Sequence, residues 1–221
     1  MVIVHHLNNS RSQRLLWLLE ELGVLYDIKR YQRDPKTMLA PPELRKVHPL
    51  GKSPVITDGD VTLAESGAIM EYVLEKFGRG RLMPKPNSPE KLRFTYWMHF
   101  AEGSAMPPLV MKLVLDRMGK APLLVRPIAK AIVSRVHKGF IEPNINRQLD
   151  YMEAELSRST WFAGSEFTAA DIQMSFPVEA AAARAGLDAR RPKLMEFLAR
   201  IHAREAYRAA LERGGEFRLM R

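Results

Sequence analysis

The chain has no cysteine among its 221 residues. That absence excludes disulfides, thiolate metal sites and a cysteine nucleophile, so any thiol chemistry must use a thiol carried in by a ligand. No apolar run approaches the roughly 18–20 residues that a membrane-spanning helix needs, and no membrane partner is expected. Met1-Val2-Ile3-Val4 passes straight into a strand-like pattern with neither a basic n-region nor a long apolar h-region, which predicts a chain without a signal peptide and a cytoplasmic location. Internal repeats and low-complexity tracts are absent as well. No metal site is expected: His5 and His6 are adjacent on a predicted strand, where neighbours face opposite sides and cannot share a ligand.

Hydrophobic residues make up 46% of the chain and charged residues 27%, the balance of an ordinary globular protein. The formal net charge of +9 raises the question of nucleic acid. The basic residues, such as Lys112, Arg117, Arg126, Lys130, Arg200 and Arg204, alternate with apolar positions at helical spacing. That spacing describes solvated helix faces, and no nucleic-acid partner is expected.

The first eighty residues alternate strand and helix signals. Val2-Ile3-Val4 reads as a strand, and Leu15, Leu18, Leu19 and Leu22 form one helical stripe that Gly23 ends. Leu25-Tyr26-Asp27-Ile28 starts a second strand. Pro54 to Leu63 is a hairpin with Asp58-Gly59 at its turn, and a helix follows from about Glu65 with Ile69, Val73 and Phe77 on one face. The stretch from Gly78 to Pro89 is rich in glycine and proline and reads as a linker. Beyond it the segments near 90–118, 123–157, 168–185 and 190–212 are all helix-like, with Pro107-Pro108 expected to kink or interrupt the first.

Several local motifs allow both a structural and a chemical role. Pro54 removes an N–H and biases Ser53 toward an extended backbone; a cis bond would leave that backbone open to pair with a bound peptide. Glu65-Ser66 at a helix start suits capping and the helix dipole, and equally suits a bound carboxylate. Lys52, in the loop before them, is either a solvated lysine or an anion partner. Between the first strand and first helix lies Asn8-Asn9-Ser10-Arg11-Ser12-Gln13-Arg14, in which Ser10-x-x-Gln13 has the spacing of a capping box. Thr168-Ala169-Ala170-Asp171, preceded by Phe167, is a second capping motif, with Ile172 placed to complete a hydrophobic staple.

Taken together, His48-Pro49-Leu50-Gly51-Lys52-Ser53-Pro54-Val55-Ile56, Glu65-Ser66 and the Trp161-Phe162-Ala163-Gly164 to Ile172 stretch resemble the motifs of cytosolic glutathione S-transferases, of the bacterial or fungal type with a serine-like active site. The resemblance spans nearly the whole chain. It implies an α/β thioredoxin-like glutathione-binding domain over residues 1–79, a linker over 80–89, and an all-helical domain with an electrophile pocket over 90–221. Glutathione is implied as co-substrate, with Ser53 and the cis-bonded Pro54 on its cysteinyl backbone, Ser66 on the γ-glutamyl carboxylate, Glu65 on the ammonium and Lys52 on the glycyl carboxylate. Counting back from Arg14 puts Ser10 where serine-type members place the hydroxyl that favours the thiolate; Asn9 is its main rival, with Ser12 and Arg11 behind. Ser104, Met106 and Met111 are expected on the wall of the electrophile pocket. Two departures are visible: Ser53 replaces a bulkier apolar residue, and the Asn8-Asn9-Ser10 run leaves the activating group open between Ser10 and Asn9.

The expected activity is conjugation of glutathione to small hydrophobic electrophiles by a homodimer, with peroxide reduction by the same thiolate as a close variant. The alternative is a non-catalytic transferase-like protein that binds glutathione or other ligands.

Overall fold

Two stretches with strand-like alternation, Val2–Leu7 (β1) and Tyr26–Tyr31 (β2), pair in parallel across the helix Ser12–Glu21 (α1) in this computed structural model, which describes residues 1–119, 121–215, 217 and 219. Val55–Asp58 (β3) lies antiparallel on the other side of β1 and turns into Val61–Ala64 (β4), giving the order β2-β1-β3-β4. The two-residue turn works because Gly59 takes φ +61°, the left-handed conformation such a hairpin requires. Side chains alternate along β1. Val2, Val4 and His6 therefore share the face under α1 and Ser66–Phe77 (α3), while His5 and Leu7 face the other side. There Leu7, Tyr31 and Leu44 of the short helix Leu44–Val47 (α2) form a small separate cluster.

The leucine stripe of α1 predicts one buried face, yet every residue from Ser12 to Leu19 is buried. The reason is tertiary. Helices from the second half of the chain pack on the side of α1 that points away from the sheet, so Leu16 and Trp17 enter the same core as Leu15 and Leu18.

That second half is all helical: Pro89–Phe100 (α4), Met106–Met118 (α5), Arg126–Val136 (α6), Glu142–Arg158 (α7), Ala169–Arg184 (α8), Pro192–His202 (α9) and Glu205–Gly214 (α10). The expected interruption at Pro107-Pro108 takes the form of a π-helical turn at Ala101–Ala105, where the Met106 N–H reaches back to the Ala101 carbonyl. Prolines lack the N–H that a regular helix would use there, and the wider turn lets the chain continue as one long rod. A second π-helical turn, His137–Ile141, joins α6 to α7. The segment expected as one helix near 190–212 is two. The chain breaks at Ala203-Arg204, because Arg204 turns extended (ψ 135°) and sends its guanidinium to Glu21 of α1, 2.9 Å away, and over the Phe167 ring at 3.7 Å.

α8 carries the capping motif as expected. The Thr168 hydroxyl accepts the Ala170 N–H, and the Asp171 carboxylate accepts the N–H groups of Thr168 and Phe162, each at 2.9 Å. Phe167 packs its ring against Trp17 and Trp161, at 5.7 and 4.9 Å between centroids. Among the described residues no helix is long and apolar enough to cross a membrane.

Candidate functional site

The chain leaves β1 through Asn8 and Asn9, and Asn9 adopts φ +51°. That reversal sets Ser10 just ahead of α1, where its Oγ accepts the Ser12 N–H at 3.2 Å. Ser10 is thus a local cap, but the capping box with Gln13 does not form. Both polar atoms of the Gln13 amide are buried without a hydrogen-bond partner, so the reciprocal half is missing. The Ser10 hydroxyl instead opens a chain of short contacts: Ser12 Oγ at 2.8 Å, and from Ser12 Oγ to His6 Nδ1 at 2.9 Å. Burial pushes His6 down to about 4, helped by the charge of Arg30 and opposed by a backbone hydrogen bond at Gly214, so the ring is neutral near pH 7. His5, on the other face of β1, bonds the Tyr31 hydroxyl at 2.9 Å and Thr57 Oγ1 at 3.3 Å.

The Ser53-Pro54 bond is cis. The Ser53 hydroxyl donates to the His5 carbonyl at 3.0 Å and lies 3.4 Å from Ser10 Oγ. Glu65 precedes α3 at φ +72°, a costly conformation for a side chain of its size and one that recurs where a backbone is shaped for a ligand. Ser66, expected as a helix cap, makes a different contact. Its buried Oγ accepts a hydrogen bond from Arg14 Nη2 at 3.0 Å.

Arg14 is itself buried, and it ties three elements to α1. It donates to the Gln173 carbonyl of α8 at 2.7 Å and to Glu102 Oε1 in the π-helical turn at 2.6 Å, besides Ser66 of α3. Arg11 adds two bonds to the same Glu102 carboxylate, at 2.9 and 3.0 Å. Burial pushes Arg14 down to about 10, with Glu102 opposing, so it stays cationic at neutral pH. Burial alone would raise Glu102, but the charges of Arg14 and Arg11 outweigh it and hold the carboxyl below its ordinary value.

Two cavities of about 250 Å³ each adjoin at Arg11 and Ser53. The first is lined by Lys52, Ser53, Pro54, Glu65 and Ser66, all five residues expected around glutathione, together with Arg11 and Glu102. The second holds both Ser10 and Asn9, and of the three residues expected on the electrophile wall it holds Met106. Ser104 and Met111 do not line it; Ser104 is half-buried in the π-helical turn and Met111 is 41% exposed on α5. A larger open cleft, of about 490 Å³, runs along the linker beside Leu82, Met83 and Phe167, and contains none of these residues. Among the described residues no group of three or more His, Asp or Glu is placed to hold a metal ion.

Arg11, Arg14 and Glu102 carry no recognisable motif. The one signal available for Arg14 is a charge inside the apolar run that starts α1, because a buried charge requires a partner. The partner, Glu102, lies 88 positions away.

Residues 1–75 match the family model for the glutathione S-transferase N-terminal domain, and residues 141–205 that for the glutathione S-transferase C-terminal domain. Glutathione S-transferase 3 of Schizosaccharomyces pombe is 41% identical over 182 residues, 82% of this chain and 74% of that protein. Glutathione S-transferase 1 of Saccharomyces cerevisiae is 32% identical across 96% of this chain and 95% of its own. Among solved structures, a glutathione S-transferase from Actinobacillus pleuropneumoniae superposes with a TM-score of 0.81 at 30% identity, covering 97% of this chain and 93% of that one. The α/β layer, the helical layer, the paired cavities and these matches agree, and the chain belongs to the glutathione S-transferase family.

Proposed function

We propose that this chain joins the sulfur of glutathione to small electrophiles, with glutathione in the first cavity and the electrophile in the second. The observation that carries this reading is the position of Ser10 and Ser53, whose hydroxyls meet at 3.4 Å where the two cavities adjoin. A thiolate held there attacks the electrophilic carbon, a C–S bond forms, and the leaving group departs with the electron pair of the bond that breaks. The chain has no thiol of its own, so the bound peptide is the nucleophile.

The binding roles follow from the donors. The Ser66 oxygen already accepts from Arg14, which leaves its O–H and the adjoining N–H at the start of α3 for the γ-glutamyl carboxylate. Glu65 takes the ammonium group, the Ser53 backbone the cysteinyl backbone, and Lys52 the glycyl carboxylate.

The hydrogen bonds around Ser10 favour its hydroxyl as the group that serves the sulfur. His6 is neutral, and its Nδ1 lies 2.9 Å from the Ser12 hydroxyl, which also has the Leu7 carbonyl at 3.4 Å. Ser53 donates to the His5 carbonyl. The Ser10 hydroxyl, 2.8 Å from Ser12 Oγ and at the junction of the two cavities, is placed to turn its proton toward the sulfur of bound glutathione. A hydrogen bond to a charged acceptor contributes about 1.5–3 kcal/mol, equivalent to lowering the thiol by about 1–2 pK units. From about 8.5 that raises the thiolate at pH 7 from a few per cent to about half.

Ser10→Ala is therefore expected to lower kcat/KM toward an aryl halide at pH 7 by about 10–30-fold. Its pH–rate profile should move up by about 1–2 units with glutathione affinity nearly unchanged. Asn9 lines the same cavity, and a larger loss in Asn9→Ala than in Ser10→Ala would transfer the role to it. Glu65→Gln should weaken glutathione binding by about tenfold or more in titration calorimetry. Normal binding by that variant would overturn the placement of glutathione. Reduction of hydroperoxides by the same thiolate is a further expected activity, assayed in parallel. Binding without turnover on aryl halides, enones and hydroperoxides would leave the chain as a glutathione-binding protein. A cytoplasmic homodimer belongs to the same proposal, and Leu92 and Tyr96, exposed four positions apart on α4, supply an apolar face for a second copy.

A further inference from the structure

Between Asp116 and Glu142 the sequence holds no acidic residue, while Arg117, Lys120, Arg126, Lys130, Arg135 and Lys138 are basic. The two acids that bound the stretch meet inside the fold. Asp116 pairs with Lys112 at 2.8 Å, and Asp116 and Glu142 flank the His137 ring at 3.4 and 4.0 Å. Folding leaves the apolar residues of the stretch in the open. α6 packs against α5 and the π-helical turn His137–Ile141, yet no described residue of α6 is buried, whereas α5 and α7 each have a buried face. Leu123 and Leu124, in the turn that leads into α6, are 81% and 95% exposed, and Ile128 and Ile132 within it are 67% and 55% exposed. Leu124, Ile128 and Ile132 recur at every fourth residue and so share one side. Arg126 and Lys130, also four apart, form a second exposed row, and Arg135 and Lys138 are exposed beyond them.

Single exposed leucines are ordinary, but a contiguous apolar patch set among charges of one sign marks a contact surface. We propose that the Leu123-Leu124 turn and α6 dock on an anionic lipid surface. The aliphatic side chains enter the boundary between headgroups and acyl chains, and the lysines and arginines reach the lipid phosphates and carboxylates. The lack of a spanning apolar run does not bear on a helix that lies in the surface. A second copy of the chain fits the patch less well. A two-fold contact sets a surface against itself, and here it would oppose basic rows with no acid between them. Nucleic acid would meet the charges but leave the aliphatic side chains in water.

The test is flotation of the full chain with vesicles of phosphatidylcholine alone and of phosphatidylcholine with phosphatidylserine. The chain is expected to float with the second kind, to float far less with the first, and to be released as salt rises. The pair Ile128→Ser and Ile132→Ser should weaken vesicle binding by about tenfold or more. The pair Arg126→Gln and Lys130→Gln should do the same and flatten the salt dependence. All four residues are exposed, so melting temperature and glutathione binding should match the wild type in both pairs. No flotation with phosphatidylserine at low salt, equal flotation with both vesicles, or flotation that neither pair changes would each overturn the proposal.

A reporter at the patch itself is available because the chain has no cysteine of its own. Leu124→Cys, labelled with a polarity-sensitive dye, should shift its emission to the blue on phosphatidylserine vesicles. A dye that stays in water while the protein floats would place the contact elsewhere and overturn the role of this patch. Sedimentation velocity and retention on duplex DNA read the other occupants. A serine pair that turns a dimer into monomers would give the patch to a second copy, and retention on DNA without flotation would give it to nucleic acid; either result overturns the lipid surface.

Discussion

Arg14 is where the cost of burying a charge and the needs of the site meet. Its guanidinium is almost wholly enclosed, and it is matched by one carboxylate, one hydroxyl and one carbonyl from three separate elements. Removing one partner of a buried ion pair typically costs about 3–5 kcal/mol. Glu102 keeps 34% of its side-chain surface exposed and can recover water, so the lower end applies. Arg14→Met should lower stability by about 3 kcal/mol, a drop in Tm of about 6–12 °C for a chain of this size. The same variant deprives Ser66 of its donor and should weaken glutathione binding, a change that a purely structural arginine would not cause. Gln13 is the opposite case. Its amide is buried with neither polar atom paired, a state that costs about 1–3 kcal/mol. Gln13→Met, of similar shape, should raise the melting temperature; a lower one would show that the amide is satisfied by water.

At the scale of elements, local sequence signals succeeded where a motif closes on itself. Thr168 and Asp171 lie three residues apart, and their bonds are made within α8 and its approach. The Asp58-Gly59 hairpin and the two prolines of α5 were legible for the same reason. Ser10-x-x-Gln13 has equally good spacing and does not form the box, because Gln13 is enclosed beside α10, where the Gly214 backbone comes close. Burial pushes the Asp171 carboxyl up to about 6, against three donors that favour the anion. A carboxyl raised in the folded state takes up protons on folding, so its contribution declines as pH rises from 3.8 to about 6. Melting curves of wild type and Asp171→Ala across that window should converge with rising pH. The variant should still be less stable at every pH, since the N–H groups of Phe162 and Thr168 lose their acceptor.

At the scale of the molecule, the α/β layer and the helical layer share one continuous core, and Glu102 ties them together at the site. Its carboxyl lies below its ordinary value of 4.5 because of Arg14 and Arg11. A lowered carboxyl stabilises the fold above its unfolded value, and that contribution is lost as pH falls through the folded one. Glu102→Gln should therefore be less stable than wild type at pH 7, and the gap should close below about pH 4. A gap that stays constant across that range would separate Glu102 from the two arginines.

By itself the sequence determined the class of fold, the order of elements, the capping of α8 and the absence of a protein thiol, because these depend on periodicity, turn chemistry and composition within short windows. It also pointed to Lys52, Ser53, Pro54, Glu65 and Ser66, which follow one another closely and come to line one cavity. Only the tertiary structure decided that Ser66 is held by Arg14 and that Glu102 joins Lys52, Ser53, Glu65 and Ser66 around one cavity. It alone joined Ser10 through Ser12 to His6. These pairings span up to 159 positions, as between Arg14 and Gln173. No local pattern encodes them; they follow from which faces of α1, α5 and α8 are brought together when the helical layer closes on the sheet.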